Sequence, residues 1–323
     1  MARAPLLPPR ADTLLSLYQT MLLTRAIERR LWVLERVEHV PPSIRVTGLE
    51  AVQAAAAAVL RAGQDWVVPC PFDLALCLAV GMSPLDVMLA IFERAADPAS
   101  GSRQAPGAYG SKASRIVMTS AAGGRHVVQA AGIAYASQVS GRDEVTLVCI
   151  DEAGTFAGDW HEGINFAGAH SLPLICIVEE IAGRPRPITQ RADSSPASRA
   201  EGYGLAAETI DGGDFWAALA AFSRAAERAR SNGGATLIHA VVVKLTSKAA
   251  GGRMKPPEEL EAQAWQDPVD RMRRRLVAAG VLDDAADDRI QRECAVSVQA
   301  AVEKARRAPS PEGAQALDNV FSG

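Results

Sequence analysis

The sequence has no run of roughly 18 apolar residues, the length a helix needs to cross a bilayer, so a membrane protein of that kind is not expected. It also lacks an excess of positive charge. Lys and Arg number 34 against 37 Asp and Glu, a net charge of -3, and nothing in that balance gives the electrostatic footprint of a nucleic-acid binder. The one compact basic stretch, Arg271 to Arg275, is read as a solvated helix face. Cysteine is scarce and scattered. Cys70, Cys77, Cys149, Cys176 and Cys294 form no CxxC pair and no metal-type spacing with histidine. An odd count in a long chain argues against a disulfide framework and for a reducing, cytoplasmic setting. Cys149 and Cys176 lie in apolar runs and read as small buried residues. Residues 1–10 contain basic residues and prolines but lack the apolar core of a secretory signal, and a loose arm is expected there.

What is present is a chain long enough for a large core, with 48% hydrophobic residues. Leu14, Leu15, Leu17, Tyr18, Met21 and Leu22 recur at near-helical spacing, predicting a helix from Asp12 to about Glu38. An alanine-rich helix is expected over 49–61, ending at Gly63. A short buried strand follows at Trp66 to Pro69, then helices over 72–80 and 84–93. Residues 95–123 are rich in Gly, Ala, Ser and Pro and read as a long loop. Between 125 and 243, the strands 145–150, 174–178 and 236–243 are apolar at nearly every position. They alternate with helices at 125–138, 158–169 and 213–230. Such strands must be buried on both faces, which predicts an α/β fold with a central parallel sheet and helices on both sides. The expected organisation is an arm at 1–11, an α/β domain at 12–255, and a helical extension at 256–323 packed on that domain.

Ligands of open parallel sheets bind at the carboxyl ends of the strands. Two such ends stand out: Asp151-Glu152-Ala153-Gly154 and Glu179-Glu180-Ile181-Ala182-Gly183. Carboxylates on adjacent strand ends suit a hard divalent cation, although acids at strand ends also simply face water.

The stretch Asp151 to Glu180, with Gly158-Asp-Trp-His-Glu-Gly-Ile-Asn-Phe-Ala167 and Leu172-Pro173 inside it, resembles the cofactor motif of one family. These are the alpha subunits of thiamine-diphosphate-dependent 2-oxoacid dehydrogenases, which act on pyruvate, branched-chain 2-oxoacids or acetoin. Thr47-Gly-Leu-Glu-Ala-Val52, Asp65-Trp-Val-Val-Pro69, Arg199-Ala-Glu-Gly-Tyr-Gly204, Asp211-Gly-Gly-Asp214 and Asp267-Pro-Val-Asp-Arg271 resemble further family signatures in the same order. The resemblance spans about 12–280. It implies the thiamine-diphosphate-binding fold and, with a beta subunit, oxidative decarboxylation of a 2-oxoacid and acyl transfer to a lipoyl carrier. It also implies thiamine diphosphate and magnesium as cofactors. The implied partners are a beta subunit in an alpha-two-beta-two heterotetramer, or self-association, and a lipoyl acyltransferase core.

The resemblance carries cofactor binding over to Glu152, Ala153 and Gly183, with Glu152 as the metal ligand, and carries over no catalytic residue. Glu152 stands where the family has aspartate, a displacement of the carboxylate by ~1.5 Å. Magnesium tolerates such shifts poorly. Asp151 and Ala153 replace flanking glycines, and Asp151 adds negative charge near the diphosphate. Ile181 replaces the second, asparagine ligand; Gly183 supplies the backbone carbonyl. Pro71, Phe72 and Leu74 stand at the Tyr-Arg and histidine positions of the first active-site loop. The late loop, Lys244 to Lys255, has no histidine, though Lys244, Lys248 and Arg253 are there to meet an anion or water. His39, His126, His161, His170 and His239 are read as structural. Gly158, Gly163, Ala167 and Gly168 would allow close helix approach, at a subunit interface or within the chain. Two functions therefore stand: a dehydrogenase alpha subunit with largely lost cofactor ligands, or a non-catalytic paralogue serving as scaffold or regulator. A third is a pocket made more apolar by Phe72, Leu74 and Ile181.

Overall fold

The computed structural model describes residues 9–38, 40, 46–105, 108–117, 123–183, 195–245 and 257–317. The first helix, α1 (Ala11–Val37), buries Leu14, Leu17, Tyr18, Met21, Ile27, Leu31 and Leu34, the stripe its spacing predicts. Then come α2 (Glu50–Ala57), β1 (Trp66–Val68), α3 (Leu74–Ala79) and α4 (Pro84–Ile91). The α4 helix starts with a capping box between Ser83 and Asp86 and a proline in its first turn. Next are α5 (Arg125–Val139), β2 (Thr146–Asp151), a 3-10 turn (Glu152–Phe156), α6 (Gly158–Ala169) and β3 (Leu174–Ile181). The rest of the sheet follows as α7 (Pro196–Glu201), β4 (Ala206–Asp211), α8 (Phe215–Arg230) and β5 (Thr236–Val242). The chain continues with α9 (Pro257–Ala264), α10 (Pro268–Ala278) and α11 (Asp284–Arg307).

All strand pairs are parallel, in the order β1-β2-β3-β5-β4. Leu147, Cys149, Ile175, Ile177, Ile238 and Ala240 point to one core, shared with α1 to α4, α8, α10 and α11. Val148, Ile150, Leu174, Cys176, Val178 and Leu237 point to the other, shared with α5, α6 and α7. This double burial is why the strands read as continuous apolar runs.

The sequence reading missed β4. It is an edge strand, mostly half-exposed, and Ala-Ala-Glu-Thr-Ile-Asp offers no apolar run. The 95–123 stretch does more than loop, because Ile116 bridges to Val67 beside β1 and Val117 N donates to Val67 O at 2.8 Å. The basic cluster is solvated only in part, with Arg274 and Arg275 exposed. Arg271 pairs with Asp211 and Asp214, Arg273 with Asp284 and Asp287, and Arg275 with Asp214. These pairs tie α10 to the start of α8 and to α11.

The small residues of α6 are used mostly within the chain. A Cβ on Gly163 would sit 2.9 Å from Val127 of α5, and one on Gly168 would meet the Tyr203 carbonyl oxygen at 1.9 Å. Ala167 is fully buried, whereas a Cβ on Gly158 would meet nothing within 4 Å. No helix among the described residues is long and apolar enough to cross a membrane.

Candidate functional site

The carboxyl ends of β1, β2 and β3 lie side by side, with Asp151 and Glu179 in register. At the end of β2 the chain enters a tight turn. Asp151 Oδ1 accepts from Gly154 N at 2.9 Å, and Thr155 Oγ1 donates to the Glu152 carbonyl at 2.7 Å. Gly154 has to be glycine, since a Cβ would lie 2.6 Å from Ile150 Cγ1. The Asp151 carboxylate is thus turned back to cap its own turn. Glu152 is buried and Ala153 exposed. From α7, Arg199 donates to Thr155 Oγ1 at 2.6 Å and lies over the rings of Phe156 and Trp160.

Below the strand ends is a buried polar cluster that the sequence reading did not single out. Asp73 precedes α3, and its Oδ2 accepts from Cys70 N at 2.5 Å. Gln53 of α2 places Nε2 3.1 Å from Phe72 O, 3.2 Å from Asp73 Oδ1 and 3.2 Å from Glu179 Oε1. Its Oε1 accepts from Ala75 N at 3.1 Å. One amide therefore links α2, the start of α3 and the end of β3. Gln53 is a polar residue inside the alanine-rich α2 and Asp73 stands immediately before the apolar α3, and that was the available signal.

Burial pushes the Glu179 carboxyl well above the usual range, and the neighbouring Asp73 charge adds to this. Burial also pushes Asp73 up, to about 7, while hydrogen bonds from Cys70 N, the Cys149 thiol and Glu179 pull it back. Two carboxyl groups this close in a dry site hold a proton between them. Burial and the Asp73 charge both favour the uncharged form of Glu179.

His126, in the first turn of α5, is buried and places Nε2 2.7 Å from Cys149 O and 3.5 Å from Cys70 Sγ. The carbonyl fixes the proton on Nε2, and burial lowers the ring's pKa, so the imidazole is neutral near pH 7.

On the opposite sheet face, His239 Nε2 lies 2.7 Å from Glu180 Oε2 and its Nδ1 3.2 Å from Thr209 Oγ1. Glu179 and Glu180 thus part company, as strand alternation requires. His161 meets the Tyr203 hydroxyl at 2.9 Å, and His170 packs on Phe166 and Tyr135. His39 lies outside the described residues.

Ile181 and Phe72 are half-buried and pack against the first core; Leu74 is fully within it. Gly183 is exposed, with φ of +75°. Lys244 is within the described residues; Lys248 and Arg253 are not. Among the described residues, no group of three or more His, Cys, Asp or Glu is arranged to hold a metal ion.

The model of the family described as "Dehydrogenase E1 component" matches residues 18–313. The chain belongs to that family. Within the E1 family it is of the alpha-subunit type. It is 36% identical over 311 residues to the 2-oxoisovalerate dehydrogenase subunit alpha of Bacillus subtilis, covering 95% of this chain and 94% of that protein. It is 30% identical over 284 residues to the 3-methyl-2-oxobutanoate dehydrogenase subunit alpha of Mycobacterium tuberculosis, covering 86% of this chain and 74% of that one. The pyruvate dehydrogenase E1 component subunit alpha of Bacillus cereus is 26% identical, with 96% of this chain and 82% of that protein covered. E1 dehydrogenases normally use thiamine diphosphate with a metal. In this E1 chain Glu152, Ile181, Phe72 and the Asp73–Glu179 pair stand at or beside the carboxyl ends of β1, β2 and β3.

Proposed function

We propose that the chain serves as the alpha member of an E1 assembly of the branched-chain 2-oxoacid type, paired with a beta subunit, and that it acts there as a non-catalytic scaffold. The observation that carries this is the side chain of Ile181. It is half-buried on the first core, at the position the resemblance assigns to a metal ligand. Its neighbours do not replace it. Glu180 faces the other side and bonds His239, and Glu179 holds its proton in a buried pair. Phe72 offers no charge to a diphosphate, where an arginine fork would grip two oxygens. The described residues do not fit a magnesium–diphosphate group, with Glu152 the one carboxylate at an expected ligand position. What the chain's own residues supply at the strand ends is a buried cluster in which Gln53 joins Asp73 and Glu179. The dehydrogenase reading is the alternative, and the length of similarity to 2-oxoisovalerate dehydrogenase subunit alpha favours it.

The deciding experiment is calorimetric titration of thiamine diphosphate with magnesium into this chain co-purified with its beta subunit. Absence of binding by the folded complex supports the scaffold. Micromolar, magnesium-dependent binding overturns it and restores the catalytic reading.

A further inference from the structure

A groove of about 630 Å³ lies between α1, α10 and α11. That volume suits a metabolite-sized molecule. Leu22, Ala26 and Val33 of α1 and Val298 of α11 give it an apolar wall, and Arg29 and Arg30 of α1 also line it.

The charges lining it are unequally committed. Arg25 is held by Glu50 and Asp267, and Arg273 by Asp284 and Asp287. Asp287 also accepts from the Tyr18 hydroxyl at 2.8 Å. Asp270 is the remaining acid on the wall. Arg29 and Arg30 make no hydrogen bond or ion pair among the described residues, and the Nε of Arg30 is buried without an acceptor. Arg29 is exposed and Arg30 half-buried, and a bound anion would supply the acceptor that the enclosed Nε of Arg30 lacks. Two uncommitted guanidinium groups against one carboxylate leave a net positive charge beside an apolar wall.

We propose that this groove binds an amphipathic organic anion, with its carboxylate or phosphate on Arg29 and Arg30 and its apolar body along α1 and α11. The Arg30 fork supplies paired donors to the headgroup. The neighbouring apolar side chains remove the ligand's tail from water.

The test titrates the full chain with octanoate, octyl phosphate and octanol. One variant is Arg30→Met, which keeps the aliphatic stem and removes the donors. A second is Ala295→Phe, at an exposed position of α11 that lines the groove. The expected result is saturable binding of at least one anion, about ten-fold or more tighter than octanol. Arg30→Met should erase that preference, and Ala295→Phe should block binding with an unchanged thermal midpoint. Whichever anion binds more tightly names the headgroup. Equal binding of octanol and both anions, no saturable binding, or anion binding that survives both folded variants overturns the proposal.

Discussion

Asp73 and Glu179 share the side-chain amide of Gln53, which stands 3.2 Å from an oxygen of each. The two acids come from places more than a hundred residues apart in the sequence, yet both reach the one Gln53 amide in a buried cluster. Their mutual repulsion is relieved only because one of them keeps a proton. The floor under the strand ends is therefore set by a protonation state as well as by packing.

That state predicts a pH dependence. Both folded-state pKa values are raised, Asp73 to about 7 and Glu179 well above its usual value. A raised acid contributes stability that is full below its unfolded value and is lost as pH rises through its folded value. The thermal midpoint should therefore fall as pH rises from 6.5 to 9, with Asp73 contributing up to about pH 7 and Glu179 carrying the fall above it. Starting at 6.5 avoids the opposing effect of His126, whose lowered pKa makes it lose stability at acid pH. Glu179→Gln keeps the shape without the ionisation. It should flatten the fall and be more stable than the parent at pH 9. Superimposable pH profiles would sink the shared-proton assignment.

Arg25 predicts a large single-site effect. Its guanidinium reaches Glu50 at 2.8 Å and grips Asp267 with two bonds, at 2.6 and 2.8 Å. Glu50 has no exposed side-chain surface, and burial raises its pKa while Arg25 lowers it. Asp267 also caps α10 by accepting from Val269 N at 2.9 Å. Arg25→Met strands a buried carboxylate and loosens that cap. It should cost about 3–5 kcal/mol in urea unfolding, and adding Glu50→Gln should return part of the loss. A cost within experimental error of zero would mean that water replaces the arginine.

How much was legible follows from what each residue touches. The buried strands and α6, from 158 to 169, were readable because both depend on local apolar patterning that burial enforces. The edge strand β4 was not, because one side of it has no neighbour to demand apolar residues. Asp151 was readable as an acid at a strand end but not as a cap, since its hydrogen bond to Gly154 depends on the turn geometry. Asp73 and Gln53 were passed over for a similar reason. Their function is a meeting of three elements, and no local pattern announces it.

If first-position ligands alone are missing, they can be put back. The combined variant Ile181→Asn, Glu152→Asp and Phe72→Arg should give the chain, co-purified with a candidate beta subunit, magnesium-dependent binding of thiamine diphosphate. Each change alone should not. Magnesium needs several correctly placed oxygens, and the diphosphate needs both the cation and the arginine to offset its charge. Ile181 and Phe72 give up apolar contacts with the first core. The combined cost is on the order of 2–4 kcal/mol, so the thermal midpoint must be read beside the calorimetry. Binding by the folded variant would mean that the backbone around the strand ends kept its geometry while its ligands were replaced. A folded variant that still does not bind would place the divergence in the backbone itself. The capped turn at Asp151 is the element to suspect first, because its carboxylate is committed to Gly154.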